Sequence, residues 1–276
     1  MSGTPLYVTD LDFTLLAPDA RASAATVRGI NELSERGTLI TFATARSFGS
    51  ASRATAGIRW RHPVVTYGGT IIADGTDGRP FDVAFIGDDV VQAICAATTV
   101  DADLEPVFHT YESGVERIRW RPDHASAGSS AFVDHRHGDP RLLPLRTWRE
   151  LERGSTYYAV VIGREAPIRA LAASLAEVTR DCAVFVAHDP YTADDWWLEI
   201  HSGAATKAHA VQWVARRLGA ERIIAFGDSH NDVPLFEVAD ESYAVGNAVP
   251  ELKARATGVL DGHDTDAVVR WLLTHA

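Results

Sequence analysis

Cysteine is nearly absent from this chain, with Cys95 and Cys182 the two in 276 residues. Both sit in apolar surroundings, which argues against a disulfide framework and marks them as inert rather than reactive. Long hydrophobic runs are missing too: none approaches the roughly 20 residues a membrane helix needs. The N-terminus lacks the basic-then-apolar pattern of an export signal. Positive charge is in deficit, with Lys+Arg 26 against Asp+Glu 37 and a net charge of −11. That balance argues against nonspecific binding to nucleic acid, and it means that any anionic ligand must be met by local cations and a metal. Internal repeats and long low-complexity tracts are also lacking. The expectation is a cytoplasmic protein with no nucleic-acid, membrane or obligatory protein partner. Its 46% hydrophobic content suffices for one large domain or two smaller ones.

What the chain does have is carboxylates at the ends of apolar runs. In TPLYVTDLDFTLL, Leu6, Tyr7 and Val8 suit a strand covered on both faces, and Asp10 and Asp12 follow as the chain leaves the sheet. Ligands of open parallel α/β sheets collect at the carboxyl ends of strands. Two acids at i and i+2 are poor core material. Such a pair can hold a hard cation, divide the work of nucleophile and acid/base, or simply form a solvated strand end. The segment RIIAFGDSHNDVPLF repeats the arrangement: a strand at Ile223 to Phe226, then Gly227, Asp228, Asn231 and Asp232. The glycine lets backbone approach a ligand closely. Between these segments, TFATARS is a strand ending in Thr44, and GAATKAHAVQWVARRLG is a helix with Lys207 in its first turn. Lysine is scarce here, Lys253 being the other. One placed where the helix dipole repels it reads as functional rather than solvating. Hydroxyl, lysine and two acid clusters form a kit for a phosphate and a divalent cation.

The four segments resemble the motifs of the haloacid-dehalogenase superfamily of phosphohydrolases, specifically its Cof-type branch, subfamily IIB. DLDFTLL looks like the first motif, FATAR the second, the Lys207 region the third and GDSHND the fourth, while AVGNAVPELKARAT is similar to a signature that follows the fourth. The resemblance implies an α/β fold: a Rossmann-like parallel-sheet catalytic core over 1–81 and 201–276, with an inserted α/β type-2 cap over 82–200 that sets substrate choice. It implies Mg²⁺-dependent hydrolysis of a small phosphorylated metabolite, foremost a sugar phosphate, through an aspartyl-phosphate. Asp10 would be the nucleophile and Asp12 the acid/base, its side chain turned from the ion while its carbonyl binds it. Asp10, Asp12, Asp228 and Asp232 would form the metal site, with Asp232 acting as a ligand or by orienting waters or Lys207. The plain alternative for Asp232 is an acid answering a helix dipole. Thr44 and Lys207 would bind the phosphoryl group. Asn231 would do the same or fix its loop, and Arg46 would contact substrate. A phosphomutase and a noncatalytic phosphometabolite-binding protein are the rival readings. Phe13, Ala45 and Ala208 stand where the family commonly has glycine, and Tyr67-Gly68-Gly69 replaces Asn-Gly-Ala. These departures bear on loop shape and access more than on reacting groups.

Helices are expected at Ala22 to Glu35, Asp88 to Thr99, Ala166 to Thr179 and Asp264 to Leu273. The core sheet is expected to continue through Leu39 to Ala43 and Val64 to Thr66, followed by a Gly-rich hairpin turning at Asp77-Gly78. In the middle region, Leu104 to His109, Val115 to Arg121, Thr156 to Ile162, Ala183 to Ala187 and Trp196 to Ile200 read as strands. Pro122 to Asp139, with its Gly, Ser, His and Asp, reads as an irregular loop. That layout suggests an antiparallel sheet with helices on one face and the other face free. Arg117, Arg119 and Arg121 share a strand face, which could meet an anionic substrate but reads first as solvated. His109, His135 and His137 lack a metal-ligand spacing. Trp196 and Trp197 point to opposite faces, one into the core and the other available to stack on a sugar or base.

Overall fold

The structure is a computed structural model that describes residues 3–99, 101, 103–188 and 194–276. The chain divides into two compact units, 1–83 with 205–276, and 84–204. The first unit begins with β1 (Pro5–Thr9), α1 (Ala24–Glu35), β2 (Leu39–Phe42), α2 (Phe48–Ala54), β3 (Val64–Thr66), β4 (Ile71–Ala73) and β5 (Pro80–Val83). The second unit contains α3 (Asp88–Thr99), β6 (Pro106–Glu112), β7 (Val115–Arg119), α4 (Ala127–Asp134), β8 (Thr156–Gly163), α5 (Glu165–Leu175), β9 (Cys182–His188) and β10 (Trp196–Ser202). The first unit then resumes with α6 (Lys207–Leu218), β11 (Arg222–Gly227), α7 (Val233–Val238), β12 (Glu241–Ala244), α8 (Pro250–Arg255), β13 (Gly258–Val259) and α9 (Ala267–His275).

The first unit is built on a parallel five-stranded sheet in the order β13-β12-β11-β1-β2. Leu6 and Val8 are fully buried, as a strand covered on both faces requires. From β1 the chain builds outward to β2 on one side, and from β11 to β12 and β13 on the other. The crevice between β1 and β11 is therefore the switch point at which open α/β sheets bind ligands. The expected parallel-sheet core is present, with one difference. Val64–Thr66 pairs with β4, which in turn pairs with β5, in a separate antiparallel sheet. Beside the Leu39 strand it forms the bridge between Ala43 and Val65, and Thr44 N donates to the Val65 carbonyl (3.0 Å).

The second unit is an antiparallel five-stranded sheet in the order β7-β6-β8-β10-β9. On one face Ile94 of α3 and Ile168 and Leu171 of α5 pack with Phe108, Val161 and Leu198. Three expectations fail here. Pro122 to Asp139 is not irregular throughout, because Ala127–Asp134 is helical. Ser126 caps this helix by accepting from Ser129 N (3.2 Å), and Phe132 supplies its buried anchor. The sheet's second face is accordingly not free: Phe132 packs there with Val107, Ile118, Val160 and Ile162. The helix crosses at Gly128, where a Cβ would lie 2.5 Å from the Ile162 carbonyl oxygen.

Nor are all three arginines solvated. Arg119 is 6% exposed, pairs with Glu112 (3.2 Å) and donates to the Leu143 carbonyl (3.0 Å). Arg121 grips the buried Glu105 with two 2.7 Å bonds and lies over the Trp148 ring. A planar guanidinium suits such two-pronged pairing. Trp196 and Trp197 do take opposite faces, and each is packed against a cluster. His109 is buried among the rings of Phe132, Tyr157 and Tyr158.

Candidate active site

Because Thr9 lies opposite Phe226, β1 and β11 release the chain side by side. Asp10 follows the first strand and Asp228 the second. Asp10 N donates to the Phe226 carbonyl (2.9 Å), so the strands stay paired to the residue whose side chain must be aimed. Thr44 follows β2 on the other side of β1. It is buried, and its hydroxyl accepts from Arg46 N (3.2 Å).

Lys207 opens α6, whose cap Thr206 accepts from His209 N (3.1 Å). Its ammonium is 2% exposed and donates to Asp10 Oδ1 (2.9 Å) and Asp232 Oδ1 (2.7 Å). The other oxygen of Asp232 accepts from the backbone N–H groups of Asp228 (3.0 Å) and Ser229 (3.2 Å). Asp232 does precede a short helix, but it is fully buried and ties Lys207 to the Asp228 loop. By accepting from Ser229 N it also completes the capping box of turn 230–232, so an acid answering a helix start describes one of its oxygens and the Lys207 contact describes the other.

Asp12 is aimed elsewhere. Its carboxylate takes two bonds from Arg46, Nε at 2.7 Å and Nη2 at 2.5 Å. Asn231 stands apart and is exposed, its Oδ1 accepting a long 3.4 Å bond from Ser229 Oγ. The structure thus gathers Asp10, Lys207, Asp228 and Asp232 into one cluster and pairs Asp12 with Arg46. Thr44 lies one strand over, and Asn231 lies outside.

Burial holds the Asp10 carboxyl up, and although Lys207 opposes the shift, the neighbouring Asp232 adds to it, leaving Asp10 at about 7. Burial and the Asp232 charge push Asp228 up to about 6. Burial pulls the Lys207 ammonium down, but the charges of Asp10 and Asp232 outweigh it and keep Lys207 above its ordinary range. Three carboxylates against one ammonium leave negative charge uncompensated in a low-dielectric place. Oxygens of Asp10, Asp228 and Asp232 lie within 4.8 Å of one another. A small cluster of hard oxygen donors with surplus negative charge could hold a metal cation. Asp232 already spends its oxygens on Lys207 and two backbone N–H groups. Asp10 and Asp228 are therefore the better placed to hold the ion, with Asp232 behind them.

Two features escaped the sequence reading. Thr14 donates its hydroxyl to Asp228 Oδ1 (3.1 Å), bridging the two acid loops. The 67–69 loop is a strut: Tyr67 N and Gly68 N donate to the carbonyls of Arg46 (3.0 Å) and Thr44 (2.9 Å). Gly69, at φ 116°, lies so close to Thr206 that a Cβ would come within 2.3 Å of its carbonyl carbon. Paired glycines just past a strand were the available signal for such a close approach.

The family model for haloacid dehalogenase-like hydrolases matches residues 7–272. The chain belongs to that family. It is 24% identical to 5-amino-6-(5-phospho-D-ribitylamino)uracil phosphatase YitU of Bacillus subtilis, over 97% of this chain and 96% of that protein. It is 22% identical to pyridoxal phosphate phosphatase YbhA of Escherichia coli, over 99% and 98%. Among solved structures, a Thermotoga maritima protein, TM0651, superposes with a TM-score of 0.78 at 21% identity, covering 100% of this chain and 98% of that one. Among the described residues, no helix is long and apolar enough to cross a membrane.

Proposed function

We propose that this hydrolase is a Mg²⁺-dependent phosphomonoesterase acting on a small phosphorylated metabolite, foremost a sugar phosphate, through an aspartyl-phosphate. The observation that carries the reading is the buried Lys207 ammonium held between Asp10 and Asp232, with Asp228 beside them. The relatives' names support the substrate class, since both describe removal of phosphate from a small organic molecule.

Phosphate-monoester hydrolysis is among the slowest uncatalysed reactions, with up to about 10²¹-fold acceleration to be supplied, and a covalent intermediate divides that barrier. Asp10 would attack phosphorus, forming a bond from its carboxylate oxygen as the bond to the leaving oxygen breaks. Asp12 would give that oxygen a proton, then take one from the water that attacks phosphorus, freeing phosphate and restoring Asp10. Bound Mg²⁺, held by Asp10, Asp228 and the Asp12 carbonyl, would offset repulsion between carboxylate and phosphoryl oxygens.

Lys207 would carry the positive charge that phosphoryl oxygens meet, with the Thr44 hydroxyl and Asn231 as further donors. Asp232 would hold Lys207 in place from behind. Arg46 would keep the Asp12 carboxyl away from the cluster until substrate arrives, and then contact the substrate. The 84–204 unit would decide which leaving group is accepted.

Asp10→Asn tests the assignment, because an amide cannot form the acyl-phosphate. Phosphate release with Mg²⁺ should vanish across a panel of phosphorylated metabolites while the fold persists. Release within about tenfold of the unmodified protein would remove Asp10 as nucleophile.

A further inference from the structure

The turn between β12 and α8 is bonded to both acid loops. Val245 N donates to the Gly227 carbonyl (3.2 Å) and Val249 N to the Asp228 carbonyl (2.8 Å), so the turn rests on the loop that carries Asp228. From the same turn Asn247 reaches the other loop. Its Nδ2 donates to the Phe13 carbonyl (2.8 Å), while its Oδ1 accepts from His263 N (3.0 Å). Gly246 N, bonded to the Asp261 carbonyl (2.9 Å), anchors the turn on that third segment as well.

Phe13 is the residue in the nucleophile loop whose conformation most needs holding. It lies at φ 55°, the left-handed region that a bulky side chain resists, and its ring is 64% exposed. The peptide that follows it is trans. A trans peptide points its N–H away from its carbonyl. Tying the Phe13 carbonyl to Asn247 therefore fixes the direction of the Thr14 N–H. Thr14 is fixed a second time by its hydroxyl bond to Asp228.

Building on the proposed phosphatase reaction, we infer that Asn247 is a positioning residue: it sets the Phe13–Thr14 peptide so that the Thr14 N–H is aimed at the transferring phosphoryl group. Asn247 touches no reacting atom. It acts through a strained peptide that without it can relax, and a relaxed peptide turns its N–H off target. Such a donor matters most as negative charge builds on the phosphoryl oxygens, so its loss belongs in kcat rather than KM.

The test is steady-state hydrolysis of para-nitrophenyl phosphate with Mg²⁺ by the full chain, Asn247→Ala and Asn247→Asp, with thermal unfolding of each. Aspartate keeps the shape and the acceptor for His263 N but loses the donor to the Phe13 carbonyl. Removing one aimed donor costs about 10²–10³ in kcat, and misaiming one should cost at least about tenfold. Both variants are expected to show that loss with KM within about threefold and melting temperatures close to the parent. Normal kcat in either variant overturns the inference while leaving the phosphatase reading intact. Failure of both variants to fold, or a loss confined to KM, assigns Asn247 a structural or substrate-holding role and also overturns it. If the unmodified chain hydrolyses neither this ester nor any phosphorylated metabolite, the phosphatase reading itself falls and the inference with it.

Discussion

Acid should loosen the 84–204 unit through one histidine. His109 is buried against three aromatic rings, and burial, with Arg141 and Arg136 adding to it, drops its pKa to about 3. In the unfolded chain the same ring titrates near 6.5. The folded value is the lower one, so the unfolded chain binds the extra proton as pH falls. Stability is complete above about 6.5 and is lost progressively toward 3. At pH 5 the deficit is about 1.5 pK units at 1.36 kcal/mol each, or about 2 kcal/mol. For a chain of this size that is about 4–8 °C of melting temperature. The assay compares melting at pH 7.5 and 5.0 for the parent and for His109→Gln, whose amide takes no proton in this range. Carboxylate titrations are common to both proteins and cancel in the comparison. The parent should lose about 2 kcal/mol more than the variant over this interval. Equal losses would refute the reasoning.

The acid cluster and its supports carry three further predictions. EDTA should stop hydrolysis, Mg²⁺ should restore it, and Ca²⁺, which prefers larger and looser coordination, should not. The raised carboxyls of Asp10 and Asp228 hold protons below about 7 and about 6, so Mg²⁺ must displace them. Apparent Mg²⁺ affinity measured by calorimetry should therefore climb between pH 5.5 and 7.5, and a flat profile would contradict the assignment. Gly69→Ala should lower both melting temperature and kcat, because the new methyl meets the Thr206 backbone and pushes the Lys207 helix away. Gly37→Ala, at φ 88° but with nothing within 4 Å of its Cβ, is the control and should affect stability alone.

The members of the acid and lysine cluster were legible because they break the logic of their surroundings. Asp10 and Asp228 end apolar strands, and Lys207 opens a helix whose dipole repels it, so each needs a reason other than packing. The parallel sheet was legible for the same cause, since Leu6–Val8 and Ile223–Phe226 have no polar face to show to solvent. Helix 127–134 was not, because its Gly and Ser content imitates a loop and its anchor, Phe132, gains meaning only against Val160 and Ile162. Arg119 and Arg121 misled because their acids, Glu112 and Glu105, lie in or beside a different strand. Which acid meets which base depends on strand pairing, and that is a property of the sheet rather than of either segment. The Asp12–Arg46 pair was hidden likewise, with 34 positions separating its members.

The pairing of β1 with β11 also dictates an order of events during synthesis. Leu6 finds its neighbour in Ile223, which leaves the ribosome only after the whole 84–204 segment has been made. Until then the first strand has one of its two final partners, and its other edge offers unpaired backbone to whatever is near. The intervening segment is continuous and its sheet pairs only with itself, so it can acquire structure while the unit around it is still half made. Contacts this distant in sequence form slowly. A nascent chain truncated before residue 222 should thus carry Asp10 on an open-edged fragment, with neither Asp228 nor Asp232 yet available to complete the cluster.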